Sequence, residues 1–453
     1  MLGFVGGVLL QKLYTNEDVY TAFCKRMDFV FKEFDNIYVS FSGGKDSGTL
    51  LQLVFKYMDE HGIKKKIGIF HQDFEAQYKK TTEFVARTFE KYEDTAELYW
   101  SCMPMRSRTA LSNYEMYWYT WDPEKKDVWV RDMPDHPYVY NIERNDFDFY
   151  EFKMMEETFY KRFSRYYHRK HGGGKTCALI GVRADESLHR YSAIVNKKYG
   201  YKQQNWITRQ YEGVYSASPI YDWNTEDIWT AIGKFHFDYN KIYDLYYKAG
   251  LTIDQMRVAS PFHDHAKESL ELYRRIEPDT WTKLLGRVRG ANFGAIYAKT
   301  KAMAYRNISL PKGMTWKEYT FFLLDTLPEQ TRSQYLKKFR FSEEFWKTKG
   351  GGLSDDTVAE LSEKGYAVHT NGVSSYSLSD KKKVVFDQEI PDDTDDINTA
   401  NPLELPSWKR CCYCILKNDH LCQNMGFGPT KEDQGRINAL KQKYKAIIKG
   451  GKA

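Results

Sequence analysis

The chain has 453 residues, of which 42% are hydrophobic and 28% charged. That balance excludes an intrinsically disordered chain and leaves room for two or three domains with at least one sizeable core. The 67 Lys and Arg against 61 Asp and Glu give a net charge of +6, too mild for this length to argue by itself for a nucleic-acid partner, and no apolar run reaches transmembrane length.

Leu2–Leu10 is a short apolar stretch without a basic flank or a small-residue cleavage site, which argues against a signal peptide. Residues 14–34 predict an amphipathic helix, with Val19, Phe23, Met27 and Phe31 at four-residue spacing. Ile37–Phe41 reads as a buried strand that stops at Ser42-Gly43-Gly44, and a helical pattern (Leu50, Leu51, Val54, Phe55, Met58) follows at once. A strand that turns through paired glycines into a helix leaves first-turn N–H groups pointing outward at the positive end of the helix dipole, which is an anion site. Glycine lets a phosphate approach the backbone. Lys45 adds a positive charge, Ser42 and Ser47 add hydroxyls, and Asp46 offers a carboxylate to Mg²⁺. The spacing is not that of a Walker A loop.

Three more strands are predicted downstream. They are Lys66–His71, with Gln72 and Asp73 at its carboxyl end, Ala96–Trp100, and Thr176–Val182, ending in Arg183-Ala-Asp-Glu-Ser187. A helix is expected from Tyr78 to Tyr92. Strands alternating with helices imply a parallel, doubly wound α/β sheet, with ligands gathered beyond the strands' carboxyl ends. Residues 42–47, 73 and 183–190 all fall on that edge.

Residues 103–175 form an insertion rich in Trp, Tyr and Met, expected to pack against the sheet or to wall the pocket. Gly172–Thr176 precedes a strand instead of following one, so it reads as a surface turn. Asn224 or Thr225 caps a helix whose first turn carries Glu226 and Asp227. The expected layout is a nucleotide-binding domain over 1–260, a helical domain over 261–350 with Leu270, Tyr273, Trp281 and Leu284 in its core, a polar module and linker over 351–400, and a Cys-rich tail with a basic helix over 401–453.

Ser42-Gly-Gly-Lys-Asp-Ser47 resembles the signature of the PP-loop ATP pyrophosphatase, or adenine nucleotide α-hydrolase, superfamily. Gly181-Val-Arg-Ala-Asp-Glu-Ser-Leu-His-Arg190 and Pro219-Ile-Tyr-Asp-Trp223 narrow the resemblance to its branch of reductases for 3′-phosphoadenylyl sulfate (PAPS). His71–Tyr78 and Arg287–Phe293 are similar to the immunoglobulin-binding-regulator A type within that branch. The resemblance implies an adenine nucleotide across the loop and a ParB-like companion protein. Within it Lys45, Asp46, Asp73 and Arg183 are the candidate catalytic residues, and Ser42–Ser47, Gly181, Arg183, Glu186 and Arg190 the candidate nucleotide-binding ones. PAPS reductases use a cysteine in a C-terminal Glu-Cys-Gly-x-His motif, which this sequence lacks.

Seven cysteines, four of them between Cys411 and Cys422, do not resemble a secreted disulfide framework and point to a reducing, cytoplasmic compartment. Cys411, Cys414, His420 and Cys422, with Cys412 as an alternative, offer a Cys3His zinc site or thiolates for an iron–sulfur centre. A redox-active pair is a third option, packing as small hydrophobes is the competing explanation, and His263-Asp-His265 reads as a polar helix start.

Three functions follow in order of preference. The first is ATP–Mg²⁺ adenylylation of an acceptor with release of pyrophosphate. The second is PAPS reduction or a related sulfonucleotide reaction. The third is a nucleotide-responsive regulator that binds nucleic acid through Lys161–His171 and the lysine-rich tail.

Overall fold

The computed structural model describes residues 4–5, 8–9, 16–109, 112, 115, 117–186, 190–191, 194, 200–262, 270–288, 310–373, 381–397 and 405–426. The chain divides into two compact units. The first takes Met1–Pro104, Asp132–Tyr150 and Met154–Val258, and the second takes Met105–Arg131, Glu151–Lys153 and Ala259–Ala453.

The first unit is built on an eight-stranded sheet. Its strands are β1 (Asn36–Ser40), β2 (Ile67–Gln72), β3 (Ala96–Ser101), β4 (Val139–Tyr140), β5 (Thr176–Ile180), β6 (Gly200–Tyr201), β7 (Gln204–Tyr211) and β8 (Val214–Ala217). Their spatial order is β6-β7-β8-β5-β1-β2-β3-β4. The six strands from β8 to β4 pair in parallel, whereas β6 and β7 add an antiparallel edge. Strand β2 is buried along its whole length, as a parallel strand covered on both faces must be. The β7–β8 hairpin was not anticipated; its signal was Glu212-Gly213, whose glycine takes φ +69° at the turn.

Four helices cover this sheet: α1 (Val19–Glu33), α2 (Lys45–Glu60), α3 (Lys79–Tyr92) and α4 (Glu156–Lys170). In α1 the buried stripe is Phe23, Met27 and Val30, so Val30 stands in the place expected for Phe31. The expected insertion is divided. Helix α4 packs on the sheet, with Phe163 stacked on Phe70 at 4.0 Å, Tyr167 donating to the Ile37 carbonyl at 3.0 Å, and Tyr38 and Ser164 joined at 2.7 Å. Gly68 leaves room for the Tyr167 ring, since a Cβ there would lie 2.8 Å from it. Of the basic stretch 161–171, Lys161, Arg165, Arg169 and Lys170 lie on the outer side of this helix, where Arg169 pairs with Asp148 and Lys170 with Asp146. Residues 105–131, with Trp118, Trp121 and Trp129, belong to the second unit.

Two shorter helices complete the first unit: α5 (Thr225–Lys234) and α6 (Ile242–Lys248). Asn224 caps α5 through a capping box, accepting from Asp227 N at 2.8 Å while its own N–H donates to Asp227 Oδ2 at 2.9 Å.

The second unit contains a hairpin, Met105–Arg108 with Tyr117–Thr120, and helices α7 (Leu270–Ile276), α8 (Pro278–Arg287), α9 (Trp316–Asp325), α10 (Glu329–Glu344), α11 (Asp355–Glu363) and α12 (Trp408–Leu416). Tyr273 and Leu284 are buried, as expected of a helical core, and Trp281 is half-buried. The polar stretch after 350 supplies a three-stranded antiparallel sheet, β9 (Gly351–Leu353), β10 (Val368–Val373) and β11 (Lys382–Phe386), ordered β9-β11-β10. One core joins it to α9, α10 and α12 through Leu353, Val384, Phe386, Trp316, Tyr335 and Trp408. His263-Asp-His265, residues 289–293 and the lysine-rich tail lie outside the described residues. No described helix is long and apolar enough to cross a membrane.

Candidate functional site

Strand β1 lies between β5 and β2, and the chain leaves it in both directions across the sheet. In an open α/β sheet this switch point opens a crevice beyond the carboxyl ends of the strands. The loop 41–44 and the N-terminus of α2 emerge there from β1, and residues 181–186 emerge from β5 beside them. The two loops touch: a Cβ on Gly181 would lie 2.9 Å from Ser47 N and 3.0 Å from the Asp46 carbonyl carbon. Only glycine permits that approach, so Gly181 sets the distance between the two halves of the site.

The first loop is tied from within and from behind. Gly43 takes φ +76° with Thr81 and Val85 packed where a side chain would go. Ser42 N donates to Ser47 Oγ at 3.1 Å, and the two hydroxyls sit 2.9 Å apart. Asn240, fully buried, donates from Nδ2 to the Gly43 carbonyl and to Thr81 Oγ1, both at 2.9 Å. The Lys45 amide donates to the Tyr243 hydroxyl at 2.9 Å. That last bond takes the Lys45 amide out of the outward-pointing set. The Gly44 amide makes only a long 3.4 Å contact with Ser42 Oγ, and Gly43 N–H has no protein acceptor among the described residues. Those two are among the donors left for an oxyanion, together with the Asp46 and Ser47 amides, which have no protein acceptor among the described residues.

Charge is concentrated behind them. Lys45 is 6% exposed and reaches Asp46 Oδ2 at 3.1 Å, while Arg183, 3% exposed, donates from Nε to Asp46 Oδ1 at 2.6 Å. Asp46 thus spaces two buried cations. Burial pushes the Lys45 ammonium below the ordinary lysine range, against the upward pull of Asp46 and with a further push from Arg183 and Arg257. The guanidinium of Arg183 is held by the Trp223 carbonyl at 3.3 Å and Thr225 Oγ1 at 3.2 Å. Pro219–Trp223 is therefore a bracket for Arg183. Ala184 N donates to the Tyr221 carbonyl at 2.8 Å, and Arg26 clamps the bracket from α1 through the Pro219 carbonyl and the Asp222 carboxylate.

Glu186 sits 3.8 Å from Arg183 and pairs with Arg190, which is 42% exposed and forms the outer side of the site. Arg257, a residue that no motif flagged, donates to the Glu186 carbonyl at 3.2 Å. Tyr243, Asn240 and Arg257 were thus invisible as site residues in the sequence. All three follow the capping helix α5 in segments without a recognisable pattern.

Asp73 is fully buried at the end of β2. Its Oδ1 accepts from Glu75 N at 2.8 Å and Gln77 Nε2 at 3.3 Å, and its Oδ2 from Trp100 Nε1 at 2.8 Å. It closes the turn after the strand, and neither oxygen is without a protein donor. Asp46 is the loop's own carboxylate, 17% exposed, with Arg183 on Oδ1 and Lys45 on Oδ2. A Mg²⁺ ion arriving on phosphates needs only one or two carboxylate oxygens, and Asp46 would supply one by sharing it with its cation.

The Cys-rich tail does not form the expected Cys3His set. Cys411, Cys412, Cys414 and Cys422 are fully buried, but the His420 ring stacks on Tyr335 at 5.5 Å and its Nε2 lies 3.2 Å from the Ser112 carbonyl. Cys411 Sγ faces Met425 Sδ at 3.7 Å and Cys414 Sγ faces Asp419 Oδ2 at 3.7 Å. Among the described residues no three His, Cys, Asp or Glu side chains are arranged to hold a metal ion. Burial pushes the Cys411, Cys412 and Cys414 thiols up, Cys412 to about 12, as for cysteines packed as small hydrophobes.

Comparison with known proteins matches the phosphoadenosine phosphosulfate reductase domain to residues 36–250 and a domain of unknown function, DUF3440, to residues 250–436. Among solved structures, the FMN adenylyltransferase of Candida glabrata in complex with FAD and inorganic pyrophosphate is 15% identical, with a TM-score of 0.30, covering 52% of this chain and 65% of that one. The PAPS reductase of Candida auris in its phosphate complex is 13% identical, with a TM-score of 0.28, covering 49% of this chain and 84% of that one. The uncharacterized protein YbdN of Escherichia coli (strain K12) is 30% identical over 432 residues, which is 94% of this chain and 93% of that protein. On that identity, spread over nearly the whole of both proteins, the chain belongs to the family of YbdN.

Proposed function

We propose that the first unit binds an adenine nucleotide through its phosphates and cleaves ATP between the α and β phosphorus atoms, transferring adenylate to an acceptor. The observation that carries this reading is the pairing of two loop amides, Gly43 and Gly44, with two buried cations held 3.1 Å and 2.6 Å from one carboxylate. The acceptor's nucleophilic atom attacks the α-phosphorus, the bond from that phosphorus to the α–β bridging oxygen breaks, and pyrophosphate leaves with the bond's electrons. Lys45 and Arg183 stabilise the charge that develops on the leaving group, and Asp46 fixes both of them. Mg²⁺, brought with the nucleotide and met by Asp46, would supply further neutralisation of phosphate charge.

The match to a PAPS reductase domain favours a second reading, sulfonucleotide reduction. That reaction needs a thiolate, and the motif that supplies one is missing. The four tail thiols are buried, and in Cys411, Cys412 and Cys414 burial suppresses ionisation, the reverse of an activated nucleophile. Adenylylation needs no protein nucleophile and is the better fit. The resemblance to the immunoglobulin-binding-regulator A type, with a ParB-like companion, belongs to this proposal as the source of a candidate acceptor.

Exchange of labelled pyrophosphate into ATP tests the first reading. Exchange by the wild type that is lost in Lys45→Ala supports it. Exchange that survives that change, or sulfite release from PAPS with thioredoxin in its place, overturns it. Thermal shifts with ATP–Mg²⁺, PAPS and adenosine 3′,5′-bisphosphate side by side establish which nucleotide binds.

A further inference from the structure

The matched PAPS reductase domain stops at residue 250, yet the first structural unit runs on to Val258. Those extra residues are built to aim one side chain. Leu251 N returns to the Tyr246 carbonyl at 3.1 Å, and Thr252 and Gln255 close a turn on each other, with Gln255 N donating to the Thr252 carbonyl at 3.0 Å. Met256, 2% exposed, pins the segment, and Arg257 next to it is exposed except for its 3.2 Å bond to the Glu186 carbonyl.

Arg257 thereby joins Lys45, Arg183 and Arg190 around two carboxylates, Asp46 and Glu186, with Asp185 at the exposed rim, 3.8 Å from Arg183. The inner cations, Lys45 and Arg183, are committed to Asp46, whereas Arg190 and Arg257 stand at the outer side around Glu186. The Glu186 side chain pairs with Arg190, whereas Arg257 meets only the Glu186 backbone carbonyl and has no acid partner among the described residues. The repulsion between the two arginines is felt at Arg190, whose guanidinium is pushed down first by burial and then by Arg257. An arrangement of like charges is favourable only when an anion arrives between them.

We propose that Arg257 is a specificity-determining residue for a second phosphoryl group of the nucleotide, one lying outside the phosphate held at Gly43 and Gly44. The inference rests on the nucleotide-binding reading above and adds the ligand class to it, an adenine nucleotide with at least two separated anionic charges. That second group is the distal phosphate of a triphosphate or a phosphate on the ribose, and both present the same oxyanion to a guanidinium fork.

The test is calorimetric titration of the full chain and of Arg257→Ala and Arg257→Lys with AMP, ATP and adenosine 3′,5′-bisphosphate at one fixed salt concentration. Loss of a charge-assisted hydrogen bond should weaken ATP, the bisphosphate or both by about tenfold or more in Arg257→Ala and leave AMP within about twofold. Arg257→Lys should recover part of the loss. Whichever of the two ligands is weakened identifies the source of the second phosphate. Equal weakening of AMP and the others, or no change for any ligand, overturns the assignment of Arg257 alone. A wild-type chain that binds none of the three overturns the nucleotide reading itself.

Discussion

Arg183 Nε lies 2.6 Å from Asp46 Oδ1, a bond that joins the end of β5 to the first turn of α2. The pair does two jobs. It locks the crevice at the switch point of the sheet, and it keeps a guanidinium that is 3% exposed compatible with burial.

Removing the acid should therefore cost stability as well as binding. Asp46→Ala leaves the buried Arg183 with only Asp185 and Glu186, each 3.8 Å away, so the cost should lie at the lower end of the about 3–5 kcal/mol that follows when a fully buried pair is broken, the more so because Asp46 keeps some contact with solvent. Urea unfolding should show a reduced midpoint with an unchanged slope. An unaltered midpoint would mean that Trp223, Thr225 and solvent satisfy Arg183 without its partner.

Two glycines separate packing from ligand approach. Gly181→Ala places a methyl 2.9 Å from Ser47 N, where only backbone can yield, so both stability and nucleotide binding should fall. Gly44→Ala meets nothing nearer than Ser42 Oγ at 3.4 Å and the Tyr243 hydroxyl at 3.6 Å, at a φ of −83° that any residue adopts. The free protein should melt as before, and a nucleotide whose phosphate sits against the Gly44 amide should bind at least about tenfold more weakly. Circular dichroism melts with and without ATP check both.

The Lys45 ammonium carries a pH signature. Its ionisation is pulled below the usual 10.5, chiefly by burial, so its charge disappears at a lower pH than that of an ordinary lysine. An anion needs the protonated form. Nucleotide affinity should hold on the neutral side and fall as the pH rises through that lowered value. Lys45→Arg keeps its charge over the same window and should flatten the fall, whatever it does to affinity at neutral pH. Titration of ATP affinity across the alkaline range is the measurement.

Thiol reactivity reports on the tail. Of seven free cysteines only Cys24 is even half-buried; the other six are buried. In the native protein one thiol should react with an aromatic disulfide reagent, and the remaining six only after unfolding. Rapid reaction of two or more would mean that the tail core opens readily, which would revive a chemical role for Cys411, Cys414 or Cys422.

Much of the first unit was legible because its parallel strands leave a strong pattern. Ile37–Phe41, Lys66–His71 and Ala96–Trp100 each read as an apolar run and each is a strand, within a residue of its expected bounds. The glycines of the first loop and Gly181 were visible because their chemistry is local. The supports of the loop were not. Tyr243 and Asn240 act across about two hundred residues of sequence, and nothing near them in the chain records what they touch. His420 shows the opposite failure: its spacing from the cysteines suggested a ligand, whereas its ring is held by Tyr335 and Ser112.

The span of these supports bears on how the molecule is made. The anchors of the 42–47 turn come from residues 137, 197 and 198 positions further along, so Arg183 arrives late in the first half of the chain and Asn240 and Tyr243 only in the second. Closing such wide gaps is entropically slow, and the glycine turn should be among the last parts to become rigid. A nascent chain released before Tyr243 would carry the signature hexapeptide without the shape that gives it meaning.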